Sequence, residues 1–148
     1  MMRILIIQGP NLNLLGSREP QHYGHQTLDQ LHAAIAEHAD RRGAEAVFFQ
    51  SNHEGALVDR IQAAAFGEPH ERAEAIIINA AAYTHTSIAL LDALTAAGLP
   101  AIEVHLSDIG TRESFRHHSM IAAACRRQIS GRGLQGYLQA VDELVDLT

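Results

Sequence analysis

Apolar positions along this chain follow two alternating rhythms. Continuous apolar runs occur at Arg3 to Gln8 (RILIIQ), Ala46 to Gln50 (AVFFQ), Ala75 to Asn79 (AIIIN) and Ala101 to Leu106 (AIEVHL). Runs of that length without polar alternation predict strands buried on both faces. Arg126 to Ser130 predicts a weaker fifth strand. Between the runs the rhythm becomes helical. Thr27 and Gln30 form a capping box ahead of Leu28, Leu31, Ile35 and Ala39, and Gly43 closes that helix. Ser51 and Asn52 supply turn and cap chemistry before Leu57, Ile61 and Ala64. Gly67 to Arg72 reads as a polar turn. Ser87 caps a helix carrying Ile88, Leu91 and Leu94, which Gly98-Leu99-Pro100 stops. Leu134, Tyr137, Leu138, Val141, Leu144 and Val145 mark a closing amphipathic helix.

Strand and helix alternating in this way predict an α/β fold, with a doubly wound five-stranded parallel sheet in a flavodoxin-like order and helices on both faces. The 148 residues make one domain, 1–148, and 47% hydrophobic content supplies an ordinary core. The net charge of −6, with no basic run, argues against nucleic acid and anionic membranes as partners. Ile4 to Ile7 is too short for a signal peptide or a membrane span, so the expected location is the cytoplasm. Cys125, the single cysteine, sits among alanines and reads as a buried inert thiol. All 11 basic side chains are arginine, which excludes Schiff-base chemistry on a lysine.

In parallel sheets ligands bind beyond the carboxyl ends of the strands. Asn11 follows the first run, Asn52 and His53 the second, Asn79, Tyr83 and His85 the third, and His105, Ser107, Arg112 and Arg116 the fourth. The connection Gly9 to Gly24 (GPNLNLLGSREPQHYG) is too long for a mere link, and Arg18, Glu19 and Tyr23 suit it to proton and charge chemistry. Thr84-His85-Thr86-Ser87 sets a histidine among hydroxyls at a helix N-terminus, either as an anion site or as a cap with an incidental histidine. Glu103 and His105, two apart on a strand, share a face, so the carboxylate can orient the imidazole as a proton donor. Arg112 and Arg116 would align on one face of a helical turn toward a carboxylate or phenolate, or form a surface ion-pair patch.

Other motifs read as decoys. Gly131 to Gly136 (GRGLQG) matches a dinucleotide fingerprint but lies too late in the chain, so tight turning and close helix packing explain its glycines. The ten histidines include no HExxH pattern. His22, His25, His32, His38, His117 and His118 are expected on solvated loops or faces. Two competing readings stay open on composition alone. One is a module binding a phosphate or nucleotide at the sheet edge, and the other is a histidine-ligated metal hydrolase.

Taken together, GPNLNLLGSREPQHYG, NAAAYTHTS (79–87), EVHLSD (103–108), RESFRHHS (112–119) and GRGLQGY (131–137) resemble type II 3-dehydroquinate dehydratase, across essentially the whole chain. The resemblance implies a flavodoxin-like fold and a hydro-lyase of the shikimate pathway and aromatic amino acid biosynthesis. Such an enzyme removes water anti from 3-dehydroquinate through an enolate to give 3-dehydroshikimate, with no metal and no cofactor. It implies Tyr23 as the base at C2 and His105 as the acid at the C1 hydroxyl, with Glu103 orienting His105. A tyrosine acting near neutrality must fall about two to three units from its usual pKa, and Arg18 and Arg112 are the implied source. Asn11 is implied to hold a water at the enolate oxygen. Asn79, His85 and Arg116 are implied substrate ligands, and the backbone N–H groups of Leu106 and Ser107 a carboxylate cradle. Asp92 is implied to reach a neighbouring subunit's site, in trimers assembled into a dodecamer. The loop bearing Arg18 and Tyr23 is implied to close as a lid. Two departures stand out. Ala80 and Ala81 replace the family's usual Pro and Gly, a change expected to be tolerated. Asp108 stands where Asn is usual, and its charge weakens substrate binding unless Arg112 or a helix end neutralises it.

Overall fold

The fold follows the two rhythms. In a computed structural model, which describes residues 1–17, 21 and 25–148, strands β1 (Met2–Gln8), β2 (Ala44–Gln50), β3 (Ala75–Asn79), β4 (Ala101–His105) and β5 (Arg127–Ser130) form one sheet. Their order is β2-β1-β3-β4-β5 and every pairing is parallel. Helices α1 (Leu28–Arg41), α2 (Glu54–Phe66), α3 (Ile88–Ala97) and α4 (Leu134–Val145) cover it. The flavodoxin-like reading is thereby met.

Alternate side chains of β1 enter two separate cores, as a pleated strand requires. Ile4 and Ile6 pack with Leu31 and Ile35 of α1 and with Tyr137, Val141 and Leu144 of α4. Leu5 and Ile7 pack with Leu57 and Ile61 of α2 and with Leu90 and Leu94 of α3. Each fully buried Ile or Leu contributes about 1.5–3 kcal/mol, so the strand run is a principal source of stability. The predicted capping box is present, with Thr27 Oγ1 accepting from the Gln30 amide at 3.1 Å and Gln30 Oε1 accepting from the Thr27 amide at 3.0 Å.

The strand order changes direction between β1 and β3, because β1 leads outward to β2 while β3 lies on its other side, although the strands remain parallel. A crevice therefore opens above their carboxyl ends. Gly9 stands at that point, where its amide donates to the Asn79 carbonyl at 2.8 Å.

Several local expectations are corrected. Arg112 and Arg116 do not share one helical turn: Arg112 follows a 3-10 turn at Ile109–Thr111, and Arg116 ends a second at Ser114–Arg116. The polar turn expected at Gly67 to Arg72 is present, as a 3-10 turn at Pro69–Glu71. His38 is not on a solvated face, since its Nε2 lies 2.8 Å from Asp142 Oδ1 between α1 and α4. His32 stacks on Phe48 with ring centres 4.1 Å apart, and partial burial pushes its pKa down to about 4 against an opposing Asp29 charge. Cys125 is only partly buried, yet desolvation pushes its thiol up to about 12. Among the described residues, no helix is long and apolar enough to cross a membrane.

Candidate active site

Three loops at the carboxyl ends of β1, β3 and β4 enclose a cavity of about 110 Å3. Pro10, Asn11 and Leu12 come from the first, Asn79, Ala81, Ala82 and His85 from the second, and His105, Leu106, Ser107, Ile109, Arg112 and Arg116 from the third. Polar residues scattered over more than a hundred positions thus converge because parallel strands all end on one edge.

Asn11 sits in the left-handed region at φ 69, which asparagine tolerates better than most residues. Its amide donates to Asn52 Oδ1 at 2.9 Å, and Tyr83 Oη donates to the Asn52 carbonyl at 2.8 Å. Asn52 is therefore a brace for Asn11 rather than a cavity residue.

Strand β4 ends in a buried carboxylate–imidazole pair. Glu103 is fully buried and accepts from His105 Nε2 at 2.5 Å, Ser119 Oγ at 3.0 Å and Gln128 Nε2 at 3.1 Å. Burial pushes its carboxyl pKa up, but the bond and charge of His105, aided by Ser119 and Gln128, outweigh this and hold it below the usual range. With Nε2 engaged by the carboxylate, Nδ1 of His105 is left for the cavity. Ser119 and Gln128 had no role in the sequence reading. Ser119 lay inside a quoted motif, whereas Gln128 becomes visible only through the β4–β5 register that pairs it with Glu103.

His85 Nδ1 donates to the His118 carbonyl at 2.8 Å, so the ring is aimed by the chain that follows Arg116. Burial lowers its pKa; the His118 bond opposes this, while His105 and Arg116 add to the lowering. Ser87, not His85, performs the capping, accepting from the Leu90 amide at 2.9 Å. Arg112 donates through Nη1 to Ser107 Oγ at 3.3 Å, and Arg116 Nε donates to Glu113 Oε2 at 2.5 Å while lying 5.1 Å from the Phe115 ring centre. Both arginines line the cavity, and Arg116 also makes with Glu113 the kind of ion pair that the surface-patch reading describes.

Asp108 does not line the cavity. Its carboxylate caps the 3-10 turn after it, accepting from the Gly110 amide at 2.9 Å. The glycines of GRGLQG serve packing and turning. A Cβ on Gly136 would meet Ile129 Cγ2 at 3.2 Å, and Gly131 holds φ +78 while its amide donates to the Ser107 carbonyl at 3.2 Å. Asp92 is exposed on α3, outside the cavity lining. Arg18 and Tyr23, and with them the lid reading, lie outside the described residues. Among the described residues no group of three or more His, Cys, Asp or Glu is placed to hold a metal ion.

The chain is similar to known proteins in sequence and in fold. The family model described as Dehydroquinase class II matches residues 2–145. The chain is 56% identical over 142 residues to 3-dehydroquinate dehydratase 1 of Ralstonia nicotianae, covering 96% of this chain and 88% of that protein. It is 50% identical over 142 residues to catabolic 3-dehydroquinase 1 of Fusarium vanettenii, covering 96% and 95%. Among solved structures, type II dehydroquinase from Butyrivibrio crossotus superposes with a TM-score of 0.91 at 45% identity, covering 97% of each chain. Matching along nearly its whole length in sequence and in fold, this chain belongs to the class II dehydroquinase family.

Proposed function

We propose that this protein is a 3-dehydroquinate dehydratase that eliminates water through an enolate, with Tyr23 as base and His105 as acid. The observation that carries this reading is the buried Glu103–His105 pair at the wall of a cavity that also receives Arg112 and Arg116. A carboxylate bonded to Nε2 stabilises an imidazolium whose other nitrogen can release a proton to a leaving hydroxyl. Two guanidinium groups suit a substrate carrying a carboxylate. In the proposed reaction Tyr23 takes the proton from C2, and the C–H pair becomes an enolate. The enolate then collapses, the C1–O bond breaks, and the oxygen leaves as water with a proton from His105. Asn11 would hold a water at the enolate oxygen, preorganised by Asn52. Arg18 and Arg112 would favour the Tyr23 phenolate.

Asp92 is proposed to act in a neighbouring subunit of a trimer, with trimers assembling into a dodecamer. Support comes from its exposure on α3 beside the exposed Ile88, which leaves that helix face without a described partner. Mixing the protein with 3-dehydroquinate should generate the ultraviolet absorbance of a conjugated enone. Tyr23→Phe and His105→Gln should each lower kcat by roughly a hundredfold or more while the melting curve is retained. A folded wild type that produces no enone would overturn the proposal.

A further inference from the structure

From Asn79 in the cavity wall a line of polar groups runs back into the protein, and the members beyond Asn79 have no part in the proposed chemistry. Asn79 Oδ1 accepts from the Ala81 amide at 3.1 Å, and Asn79 Nδ2 lies 3.1 Å from Tyr137 Oη. Tyr137 Oη lies 2.8 Å from Gln8 Oε1, and Gln8 Nε2 lies 3.4 Å from His32 Nε2. Gln8, Asn79 and Tyr137 are all buried.

The proton directions in this line are determined by one end. A backbone N–H can only donate, so the Asn79 atom facing Ala81 must be its oxygen, and the atom facing Tyr137 must be nitrogen. The phenol therefore accepts from Asn79, and its single hydrogen must go to Gln8. Gln8 then turns its own oxygen to Tyr137 and its amino group to His32. His32 Nε2 has to be a lone-pair acceptor, which makes the ring neutral with its proton on Nδ1. Turning Asn79 over would set its amino group against the Ala81 N–H, and turning Gln8 over would leave the Tyr137 hydrogen without an acceptor out of water. Burial agrees with this order. It pushes the Tyr137 phenol up to about 12, so the hydroxyl keeps its proton, and it pushes His32 down to about 4, so Nε2 stays an acceptor at neutral pH.

We propose that Tyr137, Gln8 and His32 are positioning residues, forming a one-directional hydrogen-bond chain that locks the Asn79 amide so that its second N–H is offered to the cavity. Asn79 thus presents a donor to a ligand oxygen; the Ala81 amide sets the direction of the chain, and His32 on α1 closes its far end as the acceptor for Gln8. The inference deepens the proposed dehydratase reading and rests on it for its kinetic consequence.

The test pairs kinetics with nitrogen-15 spectroscopy of labelled histidine. At pH 7 the His32 Nε2 signal should be that of an unprotonated imidazole nitrogen. Tyr137→Phe removes only one oxygen, and His32→Phe keeps the stack on Phe48 but offers no acceptor. Both should raise KM for 3-dehydroquinate, the first by about tenfold and the second by about threefold, with kcat changed little. His32→Gln brings back a carbonyl acceptor and should restore KM. A protonated Nε2 in the wild type overturns the chain, as does a wild-type KM in both phenylalanine variants. A His32→Gln variant no better than His32→Phe overturns the role of His32. If the wild type makes no enone, the dehydratase reading fails separately, and the His32 tautomer still decides the chain.

Discussion

Ala81 carries the clearest local cost in the molecule. Its φ of 52 lies in the left-handed region, where a Cβ meets the following carbonyl, and it occupies a place where the family resemblance expects glycine. The Asn79 side chain holds the turn by accepting from the Ala81 amide, and the left-handed alanine costs about 1–2 kcal/mol. Ala81→Gly relieves that strain while adding about 0.4–1 kcal/mol of freedom to the unfolded chain. The net expectation is a gain of roughly 0.5–1 kcal/mol, read as a small upward shift in the thermal midpoint. His32 makes a second prediction. Its unfolded pKa is near 6.5 and its folded value about 4, so between these the unfolded chain binds more protons. Its contribution is fully present above pH 6.5 and is lost as pH falls through about 4. After allowance for the ring's partial exposure this is about 1–2 kcal/mol. Denaturant titrations at pH 7 and pH 4.5 should show less loss in His32→Gln than in the wild type, and equal losses would refute it.

At the scale of elements, the site depends on how closely β1 and β3 end beside each other. A Cβ on Gly9 would stand 2.3 Å from the Ala80 carbonyl oxygen, inside any van der Waals contact. Gly9→Ala must push apart the two loops that deliver Asn11 and Asn79. The expected cost is about 1–3 kcal/mol of overpacking, together with a rise in KM, checked by urea midpoint and by steady-state kinetics. Unchanged stability and kinetics would show that the loops move independently. On the other side, the glycine turn between β5 and α4 pins the loop after β4, since the Gly133 amide donates to the Leu106 carbonyl at 3.1 Å. The fingerprint-like glycines therefore serve the site indirectly, by fixing the backbone that precedes Arg112.

For the whole molecule, the proposed assembly brings residues of different subunits into one site. The proposed role of Asp92 in a neighbour's site predicts complementation between defective subunits. Asp92→Ala and His105→Ala variants, each nearly inactive alone, should recover part of the activity when unfolded and refolded together, because hybrid trimers contain sites with both groups intact. Sedimentation should place the wild type at a multiple of the 16.1 kDa chain, and Ile88→Glu should reduce that multiple. A monomeric, fully active wild type would remove the basis for both expectations.

Much of this was legible in one dimension. Strand runs and helical spacing reflect which positions are buried, so the five strands and four helices among the described residues, and their alternation, could be read from residues such as Ile4 to Ile7 and Leu31 to Ala39. The Glu103–His105 pairing was legible for the same reason, since a strand returns every second side chain to one face. Other features depend on contacts between residues far apart in the chain, and those only the tertiary structure decided. Periodicity does not say that Gln128 pairs with Glu103, that Asp108 spends its charge on Gly110, or that two arginines four apart reach one cavity from separate 3-10 turns. Nor could spacing draw His32 off a solvated face and onto Phe48. Local patterns are set by neighbours along the backbone, whereas the destination of a buried hydrogen bond is set by whichever donor the fold brings within about 3 Å.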